Sequence, residues 1–434
     1  MSRDNEMKAL LEQVHFSIND RLQKILLGFV VIGIVGFIVG LIGNSSYLAW
    51  QALLVNTMFF GGIAMGGLAF SLIFTITGAQ WGRPIKRLAE ALSSFIPIAA
   101  LLLCLLFFGA GQLFEWVDHD KVIHTKAGWL NLPFFVIRNL VVSVLFVAGS
   151  IYYLKTVIRP DIGLAGRLSG FGNAFADRMI KNYGSQEEEQ TAAEKKAKTI
   201  APILALFFFV WSTLLAFDWM MSLDQEWFST MFGAQYAIAN LIGAAAALLI
   251  IAGIARTDFQ LEEYITIERY HDLAKLTFAV CALWTYLIFS QVLVIWYGDL
   301  PEETPFLILR MQSLEWGWMF WVLFFLMFII PFFGLMSRTA CNSIWFSRLI
   351  AVVVLLGAWL EKYFLIVPSI QENNARAGVI DASSGLPGFA LNFYDVSITL
   401  GVLGLFLLSC SWFLQRVPAV PISDALFRRS PVEH

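Results

Sequence analysis

The sequence predicts an all-α integral membrane protein with about ten transmembrane helices. Three observations carry that expectation. The hydrophobic fraction is 58%, the charged fraction 14% and the mean hydropathy +0.71, well above a globular composition. Ten apolar stretches each reach the roughly 20 residues that cross a hydrocarbon core about 30 Å thick. Runs such as LLGFVVIGIVGFIVGLIG are continuous rather than alternating, which demands helices and not a β-barrel.

The spans read as 24–43, 48–77, 88–110, 133–155, 200–222, 229–254, 272–297, 316–336, 343–366 and 393–414. No signal-peptide pattern precedes the first. Residues 1–23 carry Met7, Leu10, Leu11, Val14 and Ile18 at helical spacing, the pattern of an amphipathic segment on a membrane surface or a partner. Spans one and two hold Gly33, Gly36, Gly40, Gly43, Gly61, Gly62, Gly66 and Gly67. Gly36 with Gly40, and Gly62 with Gly66, fit close small-xxx-small helix contacts.

Span three opens with RLAEAL (Arg87–Leu92) and span seven with DLAKLT (Asp272–Thr277). The offset of four helices restores chain direction. It suggests two four-helix bundles, helices 2–5 and 6–9, flanked by helices 1 and 10. The connection 156–199 contains GSQEEEQTAAEKKAK and reads as a solvated loop running into helix 5, with Glu194 and Lys198 at i,i+4. The connection 367–392 is rich in Gly, Pro, Asn and Ser and reads as non-helical in part. Residues 415–434 form a tail.

With ten spans both ends of the chain share one side. That side holds all but six of the 29 lysines and arginines. The six are Lys121, Lys126, Arg138, Arg310, Lys362 and Arg376. The bias places both ends, the 156–199 connection and the tail in the cytoplasm. The net charge of −3 gives no sign of nucleic-acid binding.

Four scattered cysteines with no CxxC argue against an iron–sulfur or structural zinc site. No span carries the histidine pair of a bis-histidine haem. The chain is expected to hold no metal or haem of its own. Tryptophans 81, 116, 129, 227, 296 and 316 lie near span ends, where an aromatic belt belongs.

A charge near mid-bilayer costs about 2.5–3.5 kcal/mol, so each needs a partner or a purpose. Toward the outside lie Arg138, Asp218, Glu315, Glu361, Lys362 and Asp395; toward the cytoplasm lie Glu90 and Lys275. One reading is that these charges pair or snorkel and hold the bundles together. The functional reading takes Asp218, Glu90, Lys275, Glu361, Lys362 and Asp395 as candidate proton-transfer residues. Arg138 and Glu315 would then tune their pKa or meet a quinone headgroup. Arg138, Asp218, Glu361, Lys362 and Asp395 are expected to converge. Ser71, Thr75, Ser93 and Ser94 are candidate steps on the cytoplasmic side.

Four segments, WGRPIKRLAEA, FDWMMSLDQEWFSTMFG, HDLAKLTFA and FSQVLVIWYGDLPEETPF, together resemble the ActF subunit of bacterial alternative complex III. Members of that family are similar to the wider NrfD/polysulfide-reductase membrane-subunit family. The resemblance spans the membrane part. It implies a cofactor-free subunit of a quinol:cytochrome c (quinol:electron-acceptor) oxidoreductase in a bacterial cytoplasmic membrane, contributing to proton translocation. The implied partners are an ActC-like membrane subunit, an iron–sulfur subunit, haem c subunits, a terminal oxidase and lipid. Two alternatives stand beside this. The chain could itself bind and oxidise quinol or menaquinol near the periplasmic side, or it could be a stand-alone secondary transporter.

Overall fold

A computed structural model describes residues 11, 16, 18–43, 46–169, 174–258, 260–336, 343–381, 383 and 385–424. Most of the expected 1–23 segment, with Met7, Leu10 and Val14, lies outside them, as does the end of the tail.

The protein is an all-α integral membrane protein. Among the described residues ten helices are long and apolar enough to span a membrane. They are α1 (Asp20–Ile42), α2 (Ser46–Thr77), α3 (Arg83–Leu113), α4 (Leu132–Leu168), α5 (Gln186–Leu223), α6 (Phe232–Asp258), α7 (Ile267–Gly298), α8 (Gly317–Met336), α9 (Ile344–Arg376) and α10 (Phe393–Leu414). A short helix, Thr304–Met311, lies between α7 and α8. The face from which α1 starts carries most of the basic residues and is called the basic face below. The other is the distal face.

The two expected bundles are present. Helices α2 and α6 form the centre, pack on each other and are buried along most of their length. Helices α3 and α5 lean on α2, and α4 on α5. Helices α7 and α9 lean on α6, with α8 against both. Helix α10 packs along α1, and both touch α2.

Glycines set the closest approaches. A Cβ on Gly33 would stand 2.5 Å from the Cα of Gly401, and one on Gly66 2.3 Å from the Asn240 carbonyl oxygen. Gly36 faces Ser397 and Gly62 faces the Asn240 side chain, so the small-residue faces are helix contacts.

Several boundaries differ from the sequence expectation. Most of 156–199 is helix rather than loop. Helix α4 continues through Pro160, and α5 starts at Gln186 on a capping box in which Ser185 and Glu188 bond each other's backbone. The Glu-, Ala- and Lys-rich tract that follows has high helix propensity and keeps α5 helical before it enters apolar sequence. Helix α9 likewise runs past 366 to Arg376.

Helix α3 is broken. Its first segment ends at Ser93, and the next starts at Ile96 with Pro97 in its first turn. Proline has no N–H for the carbonyl four residues earlier. Hydroxyls work beside the break: Ser93 Oγ donates to the Glu90 carbonyl at 2.6 Å and Ser94 Oγ to that of Ala91 at 2.7 Å. Helix α8 holds a π-helical turn at Phe325–Ile329, just before Pro331.

Of the tryptophans assigned to an aromatic belt, Trp116, Trp227 and Trp316 are instead buried, and Trp227 stacks on Phe306 at 3.7 Å. Position along a span gives depth but not which way the ring faces. Trp296 and Trp129 are exposed, as a belt requires.

Candidate functional site

The expected outside cluster resolves into separate groups, each complete on its own helices. In the first bundle Arg138 of α4 meets Asp218 of α5. Nε donates to Oδ2 at 2.7 Å and Nη2 to Oδ1 at 2.8 Å. Asn139 Nδ2 donates to Oδ2 at 2.7 Å and Trp129 Nε1 to Oδ1 at 3.1 Å. Each Asp218 oxygen therefore accepts two bonds, and the residue is fully buried. Arg138 also donates to the Trp129 carbonyl at 2.7 Å and stacks on the Trp129 ring, 4.1 Å from its centroid. The pair is balanced, bidentate and shielded, which suits a structural clamp.

In the second bundle the group is Glu361 and Lys362 of α9. Lys362 Nζ donates to Glu361 Oε2 at 2.5 Å and lies over the Tyr236 ring. Trp284 Nε1 donates to Oε1 at 2.8 Å and Gln235 Nε2 to the same oxygen at 3.4 Å. Glu361 borders a chamber of ≈ 70 Å³ that Gln291 and Arg310 also line. That is room for a few waters. Arg310 serves the backbone, donating to the Phe364 and Leu365 carbonyls at 3.2 and 2.8 Å.

Asp395 stands apart from both pairs. It is the third residue of α10 and closes a capping box with Asn392, whose N–H donates to Oδ2 at 3.1 Å. The Tyr363 hydroxyl donates to the same oxygen at 3.4 Å. Glu315 packs against Gly385 and Gly388 in the connection before α10. Convergence fails because each charge finds a partner on its own or a neighbouring helix, so nothing draws the groups together.

Glu90 and Lys275 do not share a site either. Lys275 is exposed on α7 and pairs with Asp272 one turn earlier, 3.4 Å away. Glu90 is fully buried. It forms an ion pair with Arg87, and Arg87 forms a second one with Asp161 of α4. All three are at most 2% exposed. Ser71 Oγ donates to Glu90 Oε1 at 2.9 Å. The Tyr153 hydroxyl lies 3.0 Å from Ser71 Oγ and 2.7 Å from Thr75 Oγ1. Two of the four expected hydroxyl steps are thus in this cluster. Ser93 and Ser94 are bonded to helix carbonyls.

The cluster sits in the wall of a cavity of ≈ 410 Å³ on the basic face, between α2, α3, α4 and α5. Arg83, Lys86, Glu194 and Lys198 also line it. Sequence reading missed Asp161 and Tyr153. Asp161 fell in the presumed loop, and its one visible signal was the helical spacing that runs on through IYYLKTVIRPDIGLAGRL. Two carboxylates share one guanidinium here, and Arg83, Lys86 and Lys198 line the same cavity. The Asp218 and Glu361 pairs each join one carboxylate to one cation.

Among the described residues no three of His, Cys, Asp and Glu group closely enough to hold a metal ion. Neither a family model nor a curated protein matches the chain.

Proposed function

We propose that this chain carries protons as a membrane subunit of a quinol:electron-acceptor oxidoreductase complex in a bacterial cytoplasmic membrane. In this reading the basic face is cytoplasmic. The electrons pass through haem- and iron–sulfur-bearing partners. The observation that carries the reading is the buried Arg87–Glu90–Asp161 group in the wall of a polar cavity.

Arg87 is shared between Glu90 and Asp161, so the three side chains form one bonded unit at the cavity wall. The cavity has room for water, and Ser71, Tyr153 and Thr75 form a chain of hydroxyls that can each accept and donate. Glu90 is the best placed proton acceptor, because Ser71 ties it directly to that chain. Asp218, saturated by four donors, is assigned to holding α4 on α5. The quinol:electron-acceptor part of the proposal rests on the sequence resemblance.

The test is Glu90→Gln and Asp161→Asn in the assembled complex, with quinol oxidation and proton translocation measured separately. Translocation is expected to fall while quinol oxidation continues. Intact assembly with both rates unchanged would remove the proposal.

The stand-alone transporter is the second reading. The break in α3 at Pro97 favours it, since transporters commonly interrupt helices inside the membrane. Purification in mild detergent separates the two. A transporter emerges alone, and a complex subunit emerges with haem-bearing partners.

A further inference from the structure

The chain after α10 turns back under the first bundle. Val417, Val420 and Ile422 are at most 1% exposed. Val417 packs with Ala91 of α3 and with Ile158 and Ile162 of α4. Pro418 and Pro421 keep this segment from continuing the helix. A turn closes it, with the Asp424 N–H donating to the Pro421 carbonyl at 2.9 Å.

Two polar ties fasten its end beside the buried acids. The Ser423 N–H donates to Asp161 Oδ1 at 2.7 Å. Arg83 Nη1 pairs with Asp424 Oδ1 at 2.9 Å. Pro421, Ser423 and Asp424 thereby form part of the cavity wall. Asp161 is thus held from two sides, Oδ2 by Arg87 and Oδ1 by a backbone amide.

We propose that residues 417–424 are a positioning strap. Through the Ser423 amide the strap keeps the Asp161 carboxylate turned onto Arg87, so that Arg87 is divided between two acids rather than closed on Glu90 alone, and Glu90 keeps its contact with the hydroxyl chain. The inference rests on the proton-carrying reading above. The charged groups bordering this site are Arg83, Lys86, Arg87 and Glu90 of α3, Asp161 of α4, Glu194 and Lys198 of α5, and Asp424 of the strap. A carboxylate's torsion is broad and roughly two-fold, so only its hydrogen bonds fix its direction. A bond to a charged group is the strong kind, and its loss is felt.

The test uses the assembled complex and compares four forms: the full chain, a chain ending at Arg416, Ser423→Ala and Ser423→Pro. Alanine keeps the amide; proline removes it and leaves Val417 and Val420 in place. Protons moved per quinol oxidised should be unchanged in Ser423→Ala. The ratio should fall about tenfold in Ser423→Pro and in the shortened chain. Hydrogen exchange over 417–424 reads docking without activity: slow in the full chain and in Ser423→Ala, fast in Asp161→Ala. Fast exchange in the full chain overturns the strap. So does a shortened chain with an unchanged ratio, or Ser423→Ala as damaging as Ser423→Pro. If Asp161→Asn and Glu90→Gln lower the ratio but the strap variants do not, the strap fails alone. If those two also leave it unchanged, the proton reading itself has failed.

Discussion

Asp218 and Glu361 are each a buried, cation-paired carboxylate on the last helix of their bundle. Asp218 lies near the distal end of α5 and Glu361 midway along α9, and each is at most 1% exposed. Each accepts an indole N–H, from Trp129 or Trp284, and pairs with a buried cation, Arg138 or Lys362. The same four-helix offset relates Gln51 and Asn56 of α2 to Gln235 and Asn240 of α6, five residues apart in both and all buried. In each bundle a buried carboxylate on the last helix ties neighbouring helices together. Among the described residues the basic-face acid Glu90 has no acidic counterpart on α7, which carries an exposed Lys275 in its place.

The first clamp should be the stiffer. Arg138→Met strips Asp218 of its charge partner and leaves a buried carboxylate, a change that typically costs about 3–5 kcal/mol. The double variant Arg138→Met, Asp218→Leu removes both charges and should recover much of the loss. Thermal unfolding of the purified protein compares them. A double variant no more stable than Arg138→Met would show that the pair's other bonds, through Asn139 and Trp129, carry the stability.

The second clamp should separate charge from hydrogen bonding. Lys362→Met leaves Glu361 with only Trp284 and Gln235 as donors. Adding Glu361→Gln removes the stranded charge, so the double variant is expected to unfold at a higher temperature than Lys362→Met alone. Equal midpoints would mean that chamber water already relieves Glu361.

What could be read in the sequence was whatever depends on one helix at a time. Span number and the presence of charges at depth follow from apolar length and position along each span. Partner choice does not. Asp218 and Arg138 sit at similar depth on consecutive helices, and they pair. Asp218 and Glu361 sit at similar depth too, yet each is satisfied within its own bundle. Lys275 and Glu90 match in the RLAEAL/DLAKLT alignment and still face opposite ways, because the alignment fixes level but not helix rotation. Asp161 was hidden by its neighbours. A polar tract and Pro160 look like loop, whereas the capping box at Ser185 and the bonds from Tyr183 and Gln186 to the Pro160 carbonyl keep that region folded.

The closest backbone approach between α1 and α10 is at Gly33 and Gly401. A Cβ on Gly33 would meet backbone, which cannot move aside as a flexible side chain can. Gly33→Ala is expected to destabilise by about 1–3 kcal/mol, the range for overpacking a close contact. Gly28→Ala in the same helix is the control, since nothing lies within 4 Å of its Cβ position. Thermal unfolding should rank Gly28→Ala with the unaltered protein and Gly33→Ala below it. The reverse order would mean that α1 and α10 are not held at the Gly33–Gly401 distance.

Arg310 should be coupled to a proline on another helix. Pro368 lies inside α9 and offers no N–H to the Phe364 carbonyl one turn earlier. Arg310 Nε fills that vacancy at 3.2 Å, while Nη2 reaches the Leu365 carbonyl and Ser369 Oγ, both at 2.8 Å. Arg310→Met should therefore orphan a buried carbonyl, at about 1–3 kcal/mol for the unsatisfied group. Pro368→Ala restores an N–H four residues after Phe364. On its own it should change little, because Arg310 already satisfies the carbonyl. In the Arg310→Met background it should recover part of the lost stability. Thermal midpoints of the four proteins close this cycle. A rescue no larger than the effect of Pro368→Ala alone would show that Arg310 stabilises α9 through Ser369 and the Phe306 ring, 3.5 Å from its guanidinium, and not through the carbonyl that Pro368 frees.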